Sequence, residues 1–200
     1  MRLTEHFKLS EFTRSATATA RKIDNTPSQE VISNLKALCQ NVLEPLRAFI
    51  NFTTPPNTSG APKELCSNGE RKNDKALHFD ASKSDSGVHS DEERGSVPII
   101  IGSGYRSPAL NKAVGGVKNS QHMTGEACDI RLPRTPYVDW GDNLAHTDMS
   151  VAYRWLDFLE HHTDFDQLIL EHSHGEYWIH VSCKSDRSRN RHQVIHFLLK

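Results

Sequence analysis

The chain predicts an α+β domain: a small, mainly antiparallel sheet with helices packed on one side. Apolar residues recur at helical spacing near 31–46 and again over 148–161, which is the pattern of helices with one buried face. Short apolar or alternating runs occupy 97–102, 127–132, 165–171 and 177–183, which reads as strands. The last two runs are separated only by His172-Ser-His-Gly-Glu176. That spacing suits a hairpin with a five-residue loop, because a parallel pair would need a long crossover.

Each element follows from local signals. Lys8–Arg14 opens the chain with a short ordered segment. Asn25-Thr26-Pro27-Ser28-Gln29-Glu30 announces a helix, with Thr26 as cap, Pro27 in the first turn and Gln29 closing a capping box. Val31, Leu35, Leu38, Val42 and Leu46 then form its buried stripe, and Pro45 should kink the helix or end and restart it. Residues 51–96 are poor in apolar side chains and rich in Lys, Asp, Ser, Glu and Gly. They read as a polar, mobile insertion carrying His78 and His89, set between a helix and a strand that are otherwise neighbours. Val97–Gly102 is a buried strand, and Ser107-Pro108 starts a short helix stopped by Gly115-Gly116. From 127 to 132 the chain alternates, with Asp129 opposite in facing to Cys128 and Ile130. The helix near 148–161 buries Val151, Trp155 and Leu159, the hairpin follows, and His192–Leu199 adds an edge strand.

Composition narrows the function classes. Two hundred residues suit one domain, taken here as 1–200 with the insertion interrupting it. The formal charge of −1 supplies no global basic field for nucleic acid. No run approaches the ~20 apolar residues that a bilayer crossing requires, so membrane insertion is not expected. The start lacks an apolar signal segment, so synthesis without a secretory leader is expected. Cysteines at 39, 66, 128 and 183 lack Cys-x-x-Cys spacing and read as free thiols. Nothing specifies an oligomer, and a monomer is expected.

The chemistry concentrates in Ser120-Gln-His122-Met-Thr-Gly125-Glu-Ala127-Cys-Asp129 and in Trp178-Ile-His180-Val-Ser182. Alternation places Trp178, His180 and Ser182 on one face of their strand and Ile179, Val181 and Cys183 on the core face. Asp129 shares its face with Ala127, whose small side chain leaves room for an ion. His122 precedes a Thr-Gly turn that can fold it back over Asp129. Two imidazoles and a carboxylate can hold a zinc ion with one position left open, and an open position activates water at neutral pH.

These motifs resemble those of the zinc D-Ala-D-Ala carboxypeptidase family, peptidoglycan-cleaving metallopeptidases, and are most similar to its small single-domain members in bacteria and phages. The resemblance extends to Leu9-Ser-Glu-Phe12, Val42-Leu-Glu-Pro-Leu-Arg47, Ser103-Gly-Tyr-Arg-Ser-Pro-Ala-Leu-Asn111 and Phe165-Asp-Gln-Leu-Ile169, leaving out the 51–96 insertion. It implies a fold shared with hedgehog-type signalling domains and a zinc ion on His122, Asp129 and His180. It also implies a general base, for which Glu171, at a strand end, is preferred over Glu176 in the loop. Arg106 resembles the family arginine that meets the substrate carboxylate or the developing oxyanion, with a structural ion pair as the alternative. Ser120 and Trp178 are candidate substrate contacts. The implied activity is hydrolysis of peptidoglycan stem peptides, at a D-Ala–D-Ala end or at an L-Ala–D-Glu-type bond. The resemblance further implies action on the cell wall after release, as a phage endolysin or a virion part. The rival is a non-catalytic module that keeps zinc for stability and binds wall peptide or a protein.

Overall fold

A computed structural model describes residues 1–53, 97–136 and 145–199. Helices α1 (Leu9–Thr13), α2 (Ala16–Arg21), α3 (Gln29–Leu38) and α4 (Glu44–Thr53) lead. Strand β1 (Ile100–Ser103), helix α5 (Pro108–Ala113), and strands β2 (Ala127–Arg131), β3 (Arg134–Pro136) and β4 (Ala145–Thr147) follow. Helix α6 (Met149–His162) precedes β5 (Gln167–Ser173), β6 (Glu176–Ser182) and β7 (Gln193–Leu199). Five strands form one sheet in the order β1-β2-β6-β5-β7, antiparallel except for the β5–β7 pair. β3 and β4 pair separately, a ribbon the sequence reading missed.

The expected apolar stripe is the core: Leu35, Leu38, Val42 and Leu46 are fully buried, and Val31 nearly so. They pack in one cluster with Trp155, Leu156 and Leu159 of α6 and with Cys128, Ile130, Leu168, Leu170, Ile179 and Val181 from one face of the sheet. Helices therefore cover one face, as expected, and the opposite face is left for chemistry.

Two local expectations are corrected and one is met. Helix α3 starts at Gln29, not beside Thr26, because the Ser28 hydroxyl accepts from the Val31 N–H and caps it. The end and restart expected at Pro45 is found. A π-turn over Cys39–Leu43 precedes it, so that α4 restarts at Glu44 with the proline in its first turn, where no N–H is needed. The hairpin loop is two residues rather than five: His174 and Gly175 have φ of 50° and 78°, the left-handed pair of a tight turn. The strands consequently run on to Ser173 and from Glu176.

Helix α4 runs to Thr53, past position 51, where the sequence reading begins the polar stretch. Although 46 residues apart, the Val97 N–H donates to Asn51 Oδ1 at 2.9 Å, so the helix before the insertion and the strand after it are neighbours. His78, His89 and Cys66 lie outside the described residues. Cys39, Cys128 and Cys183 are free and buried, and burial pushes their thiol pKa values up.

Candidate metal centre

The open sheet face is organised by register. Asp129 on β2 lies opposite His180 on β6, and His180 in turn lies opposite Ile169 on β5. One step along the same face, Arg131, Trp178 and Glu171 form the next row across the three strands. Ala127, Ser182 and Gln167 form the row on the other side.

His122 arrives from outside the sheet. It sits in a 3-10 turn, Gln121–Met123, that closes at Gly125 with φ 73°. A Cβ at Gly125 would stand 2.7 Å from the carbonyl oxygen of Val31, so this turn is pressed directly onto α3. The His122 Nδ1 lies 2.7 Å from the Gly104 carbonyl oxygen. A carbonyl only accepts, so Nδ1 carries the proton and Nε2 offers its lone pair. That Nε2 is 3.3 Å from Asp129 Oδ1, and His180 Nδ1 is 3.0 Å from the same oxygen.

One ligand atom from each residue lies within 4.8 Å of the others. Zinc bonds of ~2.0–2.1 Å to nitrogen and oxygen imply tetrahedral edges of about 3.3 Å. The two edges at Oδ1, 3.3 and 3.0 Å, lie close to that value, so the donor set fits zinc. Side-chain exposures of 4% for His122, 13% for Asp129 and 11% for His180 keep the cluster dry without sealing it.

Burial alone would raise the pKa of Asp129, but the His122 and His180 imidazoles outweigh it and hold the carboxyl well below the usual range. Arg106 adds a further bond, its guanidinium donating to Asp129 Oδ2 at 2.9 Å and through Nε to Ser103 Oγ at 2.9 Å. This leaves Oδ1 for a cation. A β-bulge between Ile101 and Ser103 brings Ser103 opposite Asp129 and so fixes the guanidinium. The structural pairing weighed for Arg106 is therefore present, while three of its five N–H groups keep no such bond among the described residues.

Glu171 is 5% exposed on the metal-facing side of β5, diagonal to His180. Glu176 lies four residues before His180 on β6, ~13 Å along the strand, and is exposed and paired with Arg134. Trp178 is half-buried between Arg131 and Glu171. Ser120 is half-buried, and its carbonyl accepts from the Met123 N–H at the start of the 3-10 turn.

Residues 86–182 match the sequence model of peptidase M15. Over this stretch the chain is similar to the peptidase M15 family. The family is zinc-dependent and acts on peptidoglycan, and the His122–Asp129–His180 cluster lies wholly inside the matched M15 region. Helices α1–α4 and strand β7 lie outside it. No curated protein matches the chain.

Sequence reasoning missed the supports of this cluster. Asp166 is fully buried, takes two bonds from Arg191 Nε and one from its terminal nitrogen, pairs with Lys184, and accepts from Gln121 Nε2 at 3.0 Å. It thereby ties the turn that carries His122 to the start of β5. Its only sequence trace was membership of the Phe165-Asp-Gln motif. Loop and helix-end histidines took other partners: His161 meets the Asp157 carbonyl, His162 stacks on Phe158, His172 stacks on Tyr177, and His6 pairs with Glu44.

Proposed function

We propose that the chain is a peptidoglycan peptidase that uses Glu171 as general base and Arg106 as the substrate-facing cation. Two bonds are candidates, a terminal D-Ala–D-Ala bond and an internal L-Ala–D-Glu-type bond. The observation that supports hydrolysis is a buried carboxylate on the same sheet face as the three ligands, one row away. Zinc held by His122, Asp129 and His180 would polarise the scissile carbonyl and lower the pKa of an attacking water.

The side chains then divide the work. Glu171 accepts a proton from the attacking water and returns it to the leaving amine. Arg106, anchored to Ser103 and Asp129, presents its remaining N–H groups to a substrate carboxylate or to the carbonyl oxygen as charge develops there. Trp178, between Arg131 and Glu171, forms the apolar floor beside the reacting bond, and Ser120 borders it near His122.

The test is incubation of the purified chain with muropeptides, with and without a chelator, followed by product masses. Loss of a terminal alanine or splitting within the stem identifies the bond, and chelation should stop either. Intact muropeptides in the presence of zinc would overturn the proposal. We also assign its place of action to the cell wall, reached after release. Addition of the protein to permeabilised bacteria from outside should lower turbidity, and no clearing would refute that assignment.

A further inference from the structure

A groove of about 800 Å3 leads away from Arg106 along the outer edge of β1. It is lined by the chain from Ile100 to Gly104 and by residues of α2 and α5. Three arginines line it, Arg14, Arg106 and Arg131, and no aspartate or glutamate does. Arg106 bonds the ligand carboxylate of Asp129, so the inner end of the groove touches the metal centre. Arg14 and Arg131 differ from it: both are exposed, and neither makes a hydrogen bond or ion pair among the described residues.

The groove adjoins the metal-bearing face at Arg106 and Arg131. Arg131 is on the same side of β2 as Asp129, and Ile100 lies opposite it on β1. Gly102 sits at the bulge, where a Cβ would meet the Arg131 Cγ at 3.1 Å, so the arginine stem lies close over the strand. β1 is the end strand of the sheet. Its outer edge can take an extended peptide backbone as an added strand. Ile100 and Val114, 52% and 45% exposed, offer apolar contact to alternate side chains.

On the peptidase reading above, we propose that this groove seats a carboxylate-bearing stretch of the substrate peptide, with Arg14 and Arg131 receiving the carboxylates. Guanidinium forks without acidic partners are complementary to carboxylate, and a chain with net charge −1 has no general cationic field to explain them. A peptide linked through the γ-carboxyl of glutamate leaves an α-carboxylate free at each such residue. The groove thus selects acidic stems over their amidated counterparts.

The experiment uses the zinc-loaded full chain and two fluorescein-labelled L-Ala-γ-D-Glu-L-Lys-D-Ala-D-Ala peptides, one with the glutamate α-carboxylate free and one with it amidated. Anisotropy reports binding, and product mass reports turnover. The wild-type chain should prefer the free acid by about five- to tenfold in Kd or KM, the yield of one or two exposed guanidinium–carboxylate pairs. The R14Q/R131Q chain should lose that preference, each single variant should lose part of it, and R14K/R131K should retain part. Equal affinity of the wild-type chain for both peptides overturns the groove, as does preference surviving in R14Q/R131Q. Cleavage without preference overturns the groove alone. Preference without cleavage keeps the groove and overturns the peptidase reading, and absence of both binding and cleavage overturns the two together.

Discussion

Glu171 and His180 sit one row apart on the same sheet face, yet their replacement should separate two functions. Glu171→Gln keeps shape and removes the proposed base, so zinc content should stay near one per chain while kcat falls ~10²–10⁴-fold. His180→Ala removes a ligand, and elemental analysis should show the metal gone. Gly104 tests the layer behind the ligands. A Cβ there would stand 2.6 Å from the Phe12 backbone, and the Gly104 carbonyl fixes the His122 ring. Gly104→Ala should therefore weaken zinc by ~10–100-fold, the usual effect of disturbing a partner of a ligand, readable by competition with a chromogenic chelator. At this scale His122, Asp129 and His180 were legible because imidazole and carboxylate types in a fixed spacing carry their chemistry with them. Ser103, Gly104 and Asp166 were not, since a serine, a backbone carbonyl and one more aspartate look ordinary until their partners are known.

Among elements, the β5–β6 hairpin carries both Glu171 and His180, so its turn sets their relative row. The turn puts His174, a residue with a Cβ, at φ 50° before Gly175. Asparagine tolerates that conformation better. His174→Asn should stabilise the chain by a few tenths to ~1 kcal/mol, measured as the shift in urea midpoint at constant slope. The loop was misread as five residues because His172 and Ser173 resemble loop residues in composition. In the fold His172 stacks on Tyr177, and Ser173 pairs with Glu176, which extends both strands. Helix boundaries slipped for a related reason: several hydroxyls precede α3, and only geometry selects Ser28 as its cap. The buried stripe was readable, because a period near 3.6 survives even where a π-turn interrupts the helix.

At the scale of the whole molecule, two bonds between distant segments should govern stability. Zinc held by His122, Asp129 and His180 would join the turn at 122, β2 and β6, and would bind the folded chain alone. At one hundred times its Kd it should add ~2.7 kcal/mol, an increase of about 5–10 °C in Tm that a chelator reverses. Asp166 provides the second link. Burial by itself would raise its pKa, but the Arg191 and Lys184 bonds prevail and push it from 3.8 to about 2. A carboxyl depressed on folding stabilises above its unfolded pKa, and the contribution disappears as pH falls through the folded one. Stability should thus drop by about 2 kcal/mol between pH ~4 and ~2, and Asp166→Asn should flatten that part of the profile in denaturant titrations.

Periodicity and side-chain chemistry are local properties, so the order of residues alone tells which faces are apolar, which side chains can bind a metal and which family they resemble. It takes the folded chain to set Asp129 opposite His180, the Gly104 carbonyl against the His122 ring, and Arg106 between the Asp129 carboxylate and the groove along β1. Those facts depend on strand register and on a bulge, and register is chosen by how the whole core packs.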